Sequence, residues 1–419
     1  MNKTKTKPFA TIDKQLVMDA YKGVKENAGS AGIDGQSIAD FERNLKGNLY
    51  KIWNRMSSGS YFPPPVKAVP IPKKSGGERI LGVPTVGDRI AQMVVKTMFE
   101  PIVEPYFYPD SYGYRPNKSA LDAIGITRER CWKYNWCLEF DIKGLFDNID
   151  HQLLMKAVIK HTDNKWIILY IERWLKTPMQ MPDGSLVEKT CGTMQGGVIS
   201  PILSNLFLHY VFDSWMSRKY NGTPWCRYAD DGLVHCKTEW EAKQLLAELK
   251  ARFEACKLEL HPDKTKIIYC KDSNRKGGHQ NIKFDFLGYT FMGRTAKNNK
   301  ENRFFMSFLP AVSKSALNDM RTTTRERKFW RRSDWELEDI ARIFNPVLNG
   351  WLNYYGCFNK SSLYPMVRHF NKTLVAFMMR KYKKLKGRKT KAAKVLEKIS
   401  KNKPHLFAHW KRGMTGSFA

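Results

Sequence analysis

The chain has 419 residues, 42% hydrophobic and 13% aromatic, enough to fill folded cores and to exclude wholesale disorder. Lys and Arg number 71 against 40 Asp and Glu, a net charge of +31 that favours a polyanion as partner and leaves an acidic protein substrate or a small neutral metabolite unsupported. Apolar runs such as Leu374 to Met379 are too short to span a bilayer, and the eight cysteines include no C-x-x-C pair, so neither a membrane span nor a disulfide or zinc framework is expected.

Residues 1–60 read as helices, with Val17, Ala20, Tyr21 and Val24 at helical spacing and Phe41, Leu45 and Leu49 repeating it. Pro63, Pro64, Pro65, Pro70 and Pro72 then demand extended backbone, in which Val66, Val69 and Ile71 allow a strand. A polar loop over 73–79 leads to a returning strand over Ile80–Val83 and a helix from about Asp88 to Phe99. Leu138–Asp141 is a short strand, and Asp150 is placed to cap a helix running through Val158. After the Gly196-Gly197 turn, Ser200 and Pro201 read as the N-cap and first residue of a helix. Arg227–Val234 predicts a hairpin with a polar tip, Trp240–Cys256 a helix, and Lys283–Phe291 with Arg303–Phe308 another hairpin. From Ser313 onward only helices are expected, with breaks near Asn345-Pro346, Gly356 and Pro365.

The charge is concentrated in that last segment. Residues 311–419 hold 25 Lys/Arg against 7 Asp/Glu, or +18 of the total +31. The densest stretch, Arg380–Lys394, contains Lys381, Lys383, Lys384, Arg388 and Lys389, and Trp and Tyr residues are interleaved with the basic ones across the segment. A basic surface carrying stackable rings fits RNA or single-stranded DNA better than a membrane, which calls for a clean apolar face.

Two acidic features stand out against this background. Asp141 ends an apolar strand, and Asp230-Asp231 sits at a hairpin tip between the core-type residues Tyr228, Ala229, Leu233 and Val234. Adjacent carboxylates at a hairpin tip are commonly just solvated. In apolar surroundings a bare carboxylate is costly unless a cation balances it. Three carboxylates converging on one point would hold two Mg²⁺ ions through hard oxygen ligands and serve phosphoryl transfer.

Tyr228-Ala229-Asp230-Asp231 resembles the Y-x-D-D box of reverse transcriptases, and Asp141–Asp147 resembles the preceding strand motif of their palm. Thr193–Pro201 is similar to the Q-G-x-x-x-S-P block, and Phe286-Leu287-Gly288-Tyr289 to the primer grip. Ile71–Thr85, Ser111–Pro116 and the tail Gly350–Tyr355 resemble blocks of one subgroup, the bacterial group II intron-encoded proteins with their maturase (X) domain. The resemblance implies an α+β right-hand polymerase: a helical extension over 1–60, fingers and palm with an antiparallel sheet over 61–309, and an all-α thumb/maturase domain over 310–419.

The same resemblance implies roles for particular residues. Asp141, Asp230 and Asp231 would be catalytic and hold two Mg²⁺, with Mn²⁺ a possible substitute. Lys73, Arg79, Phe146, Gln195 and Lys264 would bind the incoming dNTP, Phe146 by blocking a ribose 2′-hydroxyl; the choice between Lys264 and Lys266 beside the pyrophosphate stays open. Gly196, Gly197, Phe286, Leu287 and Gly288 would meet template and primer, while the tail lysines and Arg388 would grip intron RNA. Asp147 and Asp150 are read as local structure. The implied partners are group II intron RNA, an RNA template with DNA primer, and target DNA. The expected compartment is the cytoplasm, at the nucleoid when DNA is the target, with the oligomeric state open. No Cys/His cluster follows the tail, so an HNH endonuclease is not expected. The alternatives are a reverse transcriptase without an intron (retron, defence or CRISPR-linked) and an RNA-binding splicing cofactor without polymerase activity.

Overall fold

The computed structural model describes residues 12–72, 76–298, 300–415 and 418. In chain order the elements begin with helices α1 (Lys14–Glu26), α2 (Ile38–Glu42) and α3 (Leu45–Ser58), strands β1 (Val66–Pro72) and β2 (Glu78–Val83), and helices α4 (Val86–Val103) and α5 (Ala120–Lys133). Strand β3 (Trp136–Asp141), helices α6 (Leu145–Asn148), α7 (His151–His161) and α8 (Lys165–Leu175), and the short strands β4 (Met179–Gln180) and β5 (Leu186–Val187) follow. Then come α9 (Ser200–Leu208), α10 (Ser214–Lys219), β6 (Trp225–Tyr228), β7 (Asp231–Cys236), α11 (Glu239–Ala255), and β8 (Lys266–Tyr269). Strands β9 (Lys283–Phe286), β10 (Tyr289–Asn298) and β11 (Arg303–Val312) precede α12 (Lys314–Glu326), α13 (Leu337–Tyr355), α14 (Tyr364–Lys381), α15 (Lys389–Asn402) and α16 (Ala408–Lys411). No helix among the described residues is long and apolar enough to cross a membrane.

The chain forms two compact units, Met1–Ala123 with Leu138–Lys266, and Ile124–Cys137 with Ile267–Ala419. In the first, β2, β1, β4 and β5 form one sheet, and β6, β7 and β3 run side by side in another. Prolines 70 and 72 fit within β1 for a simple reason. Val66 donates its N–H to Pro178, so even-numbered residues face β4, and β4 pairs only with Val66 and Lys67. At positions 70 and 72 no partner stands on that side, and the missing donor costs nothing. The core beneath the second sheet is aromatic: Phe140 packs on Phe212, ring centroids 4.9 Å apart, and on Phe253 at 5.8 Å.

Several expectations from the sequence need correction. The helix after the Gly-Gly turn begins at Ser200 itself, and no side chain caps it. Just ahead of the helix, Gln92 Oε1 accepts the N–H groups of Val198 (2.7 Å) and Ile199 (3.3 Å). Residues 283–291 are two strands, because Leu287 (φ 51°) and Gly288 (φ 80°) turn the chain between them. Two consecutive left-handed residues make the tight turn that matches strand twist. Strands β4, β5 and β8 were not foreseen. Helix α13 runs straight through Pro346, where a break was expected. A mid-helix proline costs about 3 kcal/mol, offset here by a buried face of Ile340, Phe344, Leu348 and Leu352. Asn345 adds to this, donating to Leu406 O and accepting from Ala408 N.

The second unit has its own core, in which Phe329 meets Phe344 and Phe370 meets Phe407 edge to face, with Phe344 and Phe370 tilted against each other. The turn at Leu287-Gly288 is held by α13. Tyr354 donates its hydroxyl to Leu287 O at 2.8 Å, Tyr289 donates to Tyr354 O, and a Cβ at Gly288 would lie 2.9 Å from the Tyr355 hydroxyl. Two motifs distant in sequence are therefore one structure.

His409 is fully buried in this core, bonded to Asn371 Oδ1 at 2.8 Å, and burial lowers its pKa to about 3. A histidine held neutral in the fold stabilises it fully above the unfolded value near 6.5, and that contribution is lost as pH falls toward 3. We expect urea-unfolding stability of the full chain to drop across this window, by about 1.4 kcal/mol for each pH unit between the two values at most. The slope should be shallower in His409→Gln.

Candidate active site

The tip of the β6–β7 hairpin is built around a buried arginine. Arg227 and Asp213 are both fully buried and joined by two bonds, Nε to Oδ1 at 2.8 Å and Nη2 to Oδ2 at 2.7 Å. Nη2 also donates to Ser111 Oγ (2.8 Å), and Nη1 to Asn205 Oδ1 and Ala229 O (3.1 Å each). All five guanidinium donors are thereby used. The bond to Ala229 O matters locally, since Ala229 has φ 55°, a conformation unfavourable for a residue with a side chain. The block Ser111–Arg115 wedges against the same tip. Tyr112 N donates to Arg227 O, Asn205 donates to Gly113 O, and a Cβ at Gly113 would lie 2.4 Å from Ala229 N. Arg115 fastens the block by donating to Glu104, Tyr108 O and Ser111 O. On the far side of the tip, a Cβ at Gly232 would lie 2.0 Å from the Phe140 ring.

The hairpin presents Asp230 and Asp231 beside Asp141 at the end of β3. Burial, then the charge of Asp230 and of Asp141, raises Asp231 to about 7; burial first, with Asp141 contributing, also raises Asp230. Lys264 opposes this for both, joined at Asp230 by Arg227. Residues 259–261 pair with 141–143 (His261 N to Asp141 O, 2.8 Å; Lys143 N to Glu259 O, 2.9 Å), which carries Lys264 to Asp141, where its ammonium bonds Oδ2. Lys266 starts β8 and is exposed. Among the described residues no three His, Cys, Asp or Glu side chains stand as a ready-made metal cluster. The three carboxylates share one electrostatic neighbourhood, and Asp141 is turned to Lys264.

A second group of residues lies along α6. Phe146 is half-buried, and its carbonyl accepts Thr193 N at 2.6 Å. Gln195 donates Nε2 to Asp147 Oδ2 at 3.0 Å. Asp147 thus orients Gln195, a role that a surface carboxylate on the short helix after Asp141 does not announce in sequence. Asp150 caps α7 through Leu153 N, as expected, and pairs with Lys257 at 2.6 Å. Gly196 (φ 105°) lies so close to β2 that a Cβ would meet Gly82 O at 2.6 Å, and Gly82 N donates to Gln195 O at 2.7 Å. A Cβ at Gly197 would press on Ser200 Oγ. The loop is anchored from below by Asp88, which is completely buried and accepts from Tyr61 (2.8 Å), Trp174 (2.8 Å) and Gln92 (2.9 Å).

Arg79 is exposed on β2, opposite Ile71. Lys73 lies outside the described residues. Tyr114 was not singled out from sequence. It is left-handed (φ 59°) and half exposed, and burial, followed by the charge of Asp230, pushes its phenol up, which places it beside the carboxylates. Phe286, Leu287 and Gly288 lie in the second unit, at the turn described above. In the tail, Lys383, Lys384, Arg388 and Lys389 are exposed. Lys381 is not a free cation: it bonds Trp335 O and Glu336 Oε1, both at 2.5 Å.

Comparison with known proteins agrees with this geometry. The family "Reverse transcriptase (RNA-dependent DNA polymerase)" matches residues 71–291, and "Group II intron, maturase-specific domain" matches 317–396. The first match alone takes in more than half of the chain, which therefore belongs to the reverse transcriptase family. With the second match, it is a reverse transcriptase/maturase of the group II intron kind. Protein YkfC of Escherichia coli K12 is 31% identical over 300 residues, covering 62% of this chain and 77% of that protein. The group II intron-encoded protein LtrA of Lactococcus lactis subsp. cremoris is 34% identical over 194 residues, covering 45% of this chain and 32% of LtrA. The match thus spans about a third of LtrA's length. Family membership carries a general dependence on divalent metal, and the maturase-specific domain implies binding of intron RNA.

The Arg227–Asp213 pair generates a prediction. Arg227→Met leaves Asp213 buried and unpaired and should cost roughly 3–5 kcal/mol in urea unfolding. Replacing both partners, as Arg227→Met with Asp213→Leu, should recover part of that loss.

Proposed function

We propose that the chain adds dNTPs to a primer 3′-hydroxyl on an RNA template, and that it does so in the service of a group II intron whose RNA its tail grips. The observation that carries this reading is that Asp141, Asp230 and Asp231, half-buried or buried, act on one another electrostatically inside a chain of +31, with Lys264 paired to Asp141. Such a donor set suits hard divalent cations. Asp141 and Asp230, assisted by Asp231, would hold two Mg²⁺ (or Mn²⁺), which when bound would activate the attacking hydroxyl and stabilise the leaving pyrophosphate.

The remaining work falls to the chain's own residues. Lys264 balances Asp141 and stands where it can meet a departing phosphate. Arg79, on β2, and Lys73, outside the described residues, would hold the triphosphate. The half-buried ring of Phe146 would leave no room for a 2′-hydroxyl. Gln195, oriented by Asp147, would lie against the new base pair, with the bare backbone of Gly196 and Gly197 allowing template close by. Phe286, Leu287 and Gly288 form a rigid turn suited to holding a primer end. In this division 1–60 is a helical extension, 61–309 fingers and palm, and 310–419 thumb and maturase.

Primer extension on poly(rA)/oligo(dT) with Mg²⁺ and dTTP tests the reading. The wild type should extend, and Asp230→Asn should lose activity on the order of a thousandfold. A folded wild type that binds RNA without extending would overturn the polymerase assignment. The tail is tested separately. Neutralising Lys383, Lys384, Arg388 and Lys389 to Gln should weaken RNA binding and reduce the slope of log K against log salt by about 0.7–0.9 for each phosphate left without its cation. Lys381→Gln should change stability more than this slope, since its ammonium is already engaged within the tail. An unchanged slope in the fourfold variant would count against RNA binding by this surface.

A further inference from the structure

A cavity of about 330 Å³ lies in the first unit among α7, α9, α11 and the turn that follows α9. None of its lining residues belongs to the candidate active site. It is lined by apolar groups, including Leu153, Phe207 and Val211, together with three cations, Lys156, Lys160 and Arg252, and by no carboxylate. Among the described residues none of the three cations forms an ion pair. Lys156 and Lys160 stand one turn apart on α7, an arrangement that repels along a helix and that an anion would relieve.

The turn following α9, His209–Asp213, is π-helical, a local widening often found at functional sites. Arg252 clamps it, donating to Tyr210 O at 2.9 Å and Val211 O at 3.0 Å. The turn delivers the Tyr210 ring to the cavity wall, where it is fixed twice. Its hydroxyl is bonded to His161 Nε2 at 2.7 Å, and Lys160 Nζ lies 4.7 Å from its centroid. The cavity therefore offers an immobilised aromatic face, an apolar lining and uncompensated positive charge together.

We propose that this cavity binds one nucleotide, its base against Tyr210, Phe207 and Val211 and its phosphate against Lys156 and Lys160. The volume sits at the low end of the roughly 300–1,000 Å³ typical of ligand sites, which suits a single nucleotide and excludes a duplex. Stacking on a fixed ring is sequence-tolerant, and the lysines supply the charge that meets the phosphate. The same chemistry can come from a free nucleotide or from an unpaired nucleotide of an RNA strand. This site is additional to the dNTP position at the carboxylates.

Photo-crosslinking to the full chain, with adducts mapped by mass spectrometry, tests the proposal. Two probes are used: 4-thio-UMP, and a short single-stranded RNA carrying one 4-thiouridine. Labelling should fall on Tyr210 or another cavity residue. Lys156→Gln with Lys160→Gln should cut the yield by at least about tenfold, whereas Lys156→Arg with Lys160→Arg should preserve it. Both lysines are exposed, so each double variant should melt like the wild type. Cavity labelling by 4-thio-UMP that unlabelled UMP displaces identifies a free-nucleotide site; labelling by the oligonucleotide alone identifies an RNA contact. Absence of adducts on the cavity with both probes, or undiminished yield in the Gln variant, overturns the proposal.

Discussion

The geometry of the candidate active site depends on one ion pair removed entirely from water, Arg227 with Asp213. Burying two charges is expensive, and the attraction between them repays the cost only when every remaining donor is satisfied. Here each guanidinium N–H has an acceptor, and the acceptors come from three separate stretches: Ser111, the 205–213 segment and Ala229. The pair therefore does more than add stability. It ties the Ser111–Arg115 block, the π-helical turn and the hairpin tip to a common point, and it holds Ala229 in the left-handed conformation that sets out Asp230 and Asp231. The aspartates are costly residues mounted on a turn that would not hold its shape alone.

A second buried polar hub works by different chemistry. Among the described residues no cation pairs with Asp88; three neutral donors, from Tyr61, Trp174 and Gln92, satisfy it, and burial raises its pKa. Gln92 then hands its carbonyl oxygen to the backbone of Val198 and Ile199. One network holds the carboxylates and the other holds the loop that would face the nucleotide. Both are set from beneath by side chains that do not line the site.

Much of the site was legible as residue types in sequence, and rather less of its support. Asp141, Asp230 and Asp231 stood out because carboxylates among apolar neighbours need a reason. Arg227 did not, because an arginine before a tyrosine looks like any surface cation until burial is known. Asp147 was read as local structure because its partner, Gln195, is 48 residues away. Strand and helix identities followed from periodicity, and the errors came where tertiary contacts outweighed local preference. Asn345 and a buried apolar face carry α13 through Pro346, Gln92 holds the backbone just ahead of α9 where Ser200 was expected to cap it, and Tyr354 and Tyr355 hold the turn that splits residues 283–291 in two. In each case the deciding partner is remote in sequence, and no local window contains it.

The contact between Gly232 and Phe140 has an evolutionary consequence. With a virtual Cβ only 2.0 Å from the ring, position 232 has no single-step route to any larger residue while Phe140 remains. A lineage could leave glycine there only by first shrinking residue 140, and that would open a void against Phe212 and Phe253 in the core of the first unit. The two positions are locked to each other, so the residue next to Asp230 and Asp231 is protected from drift by the packing of the core behind the hairpin.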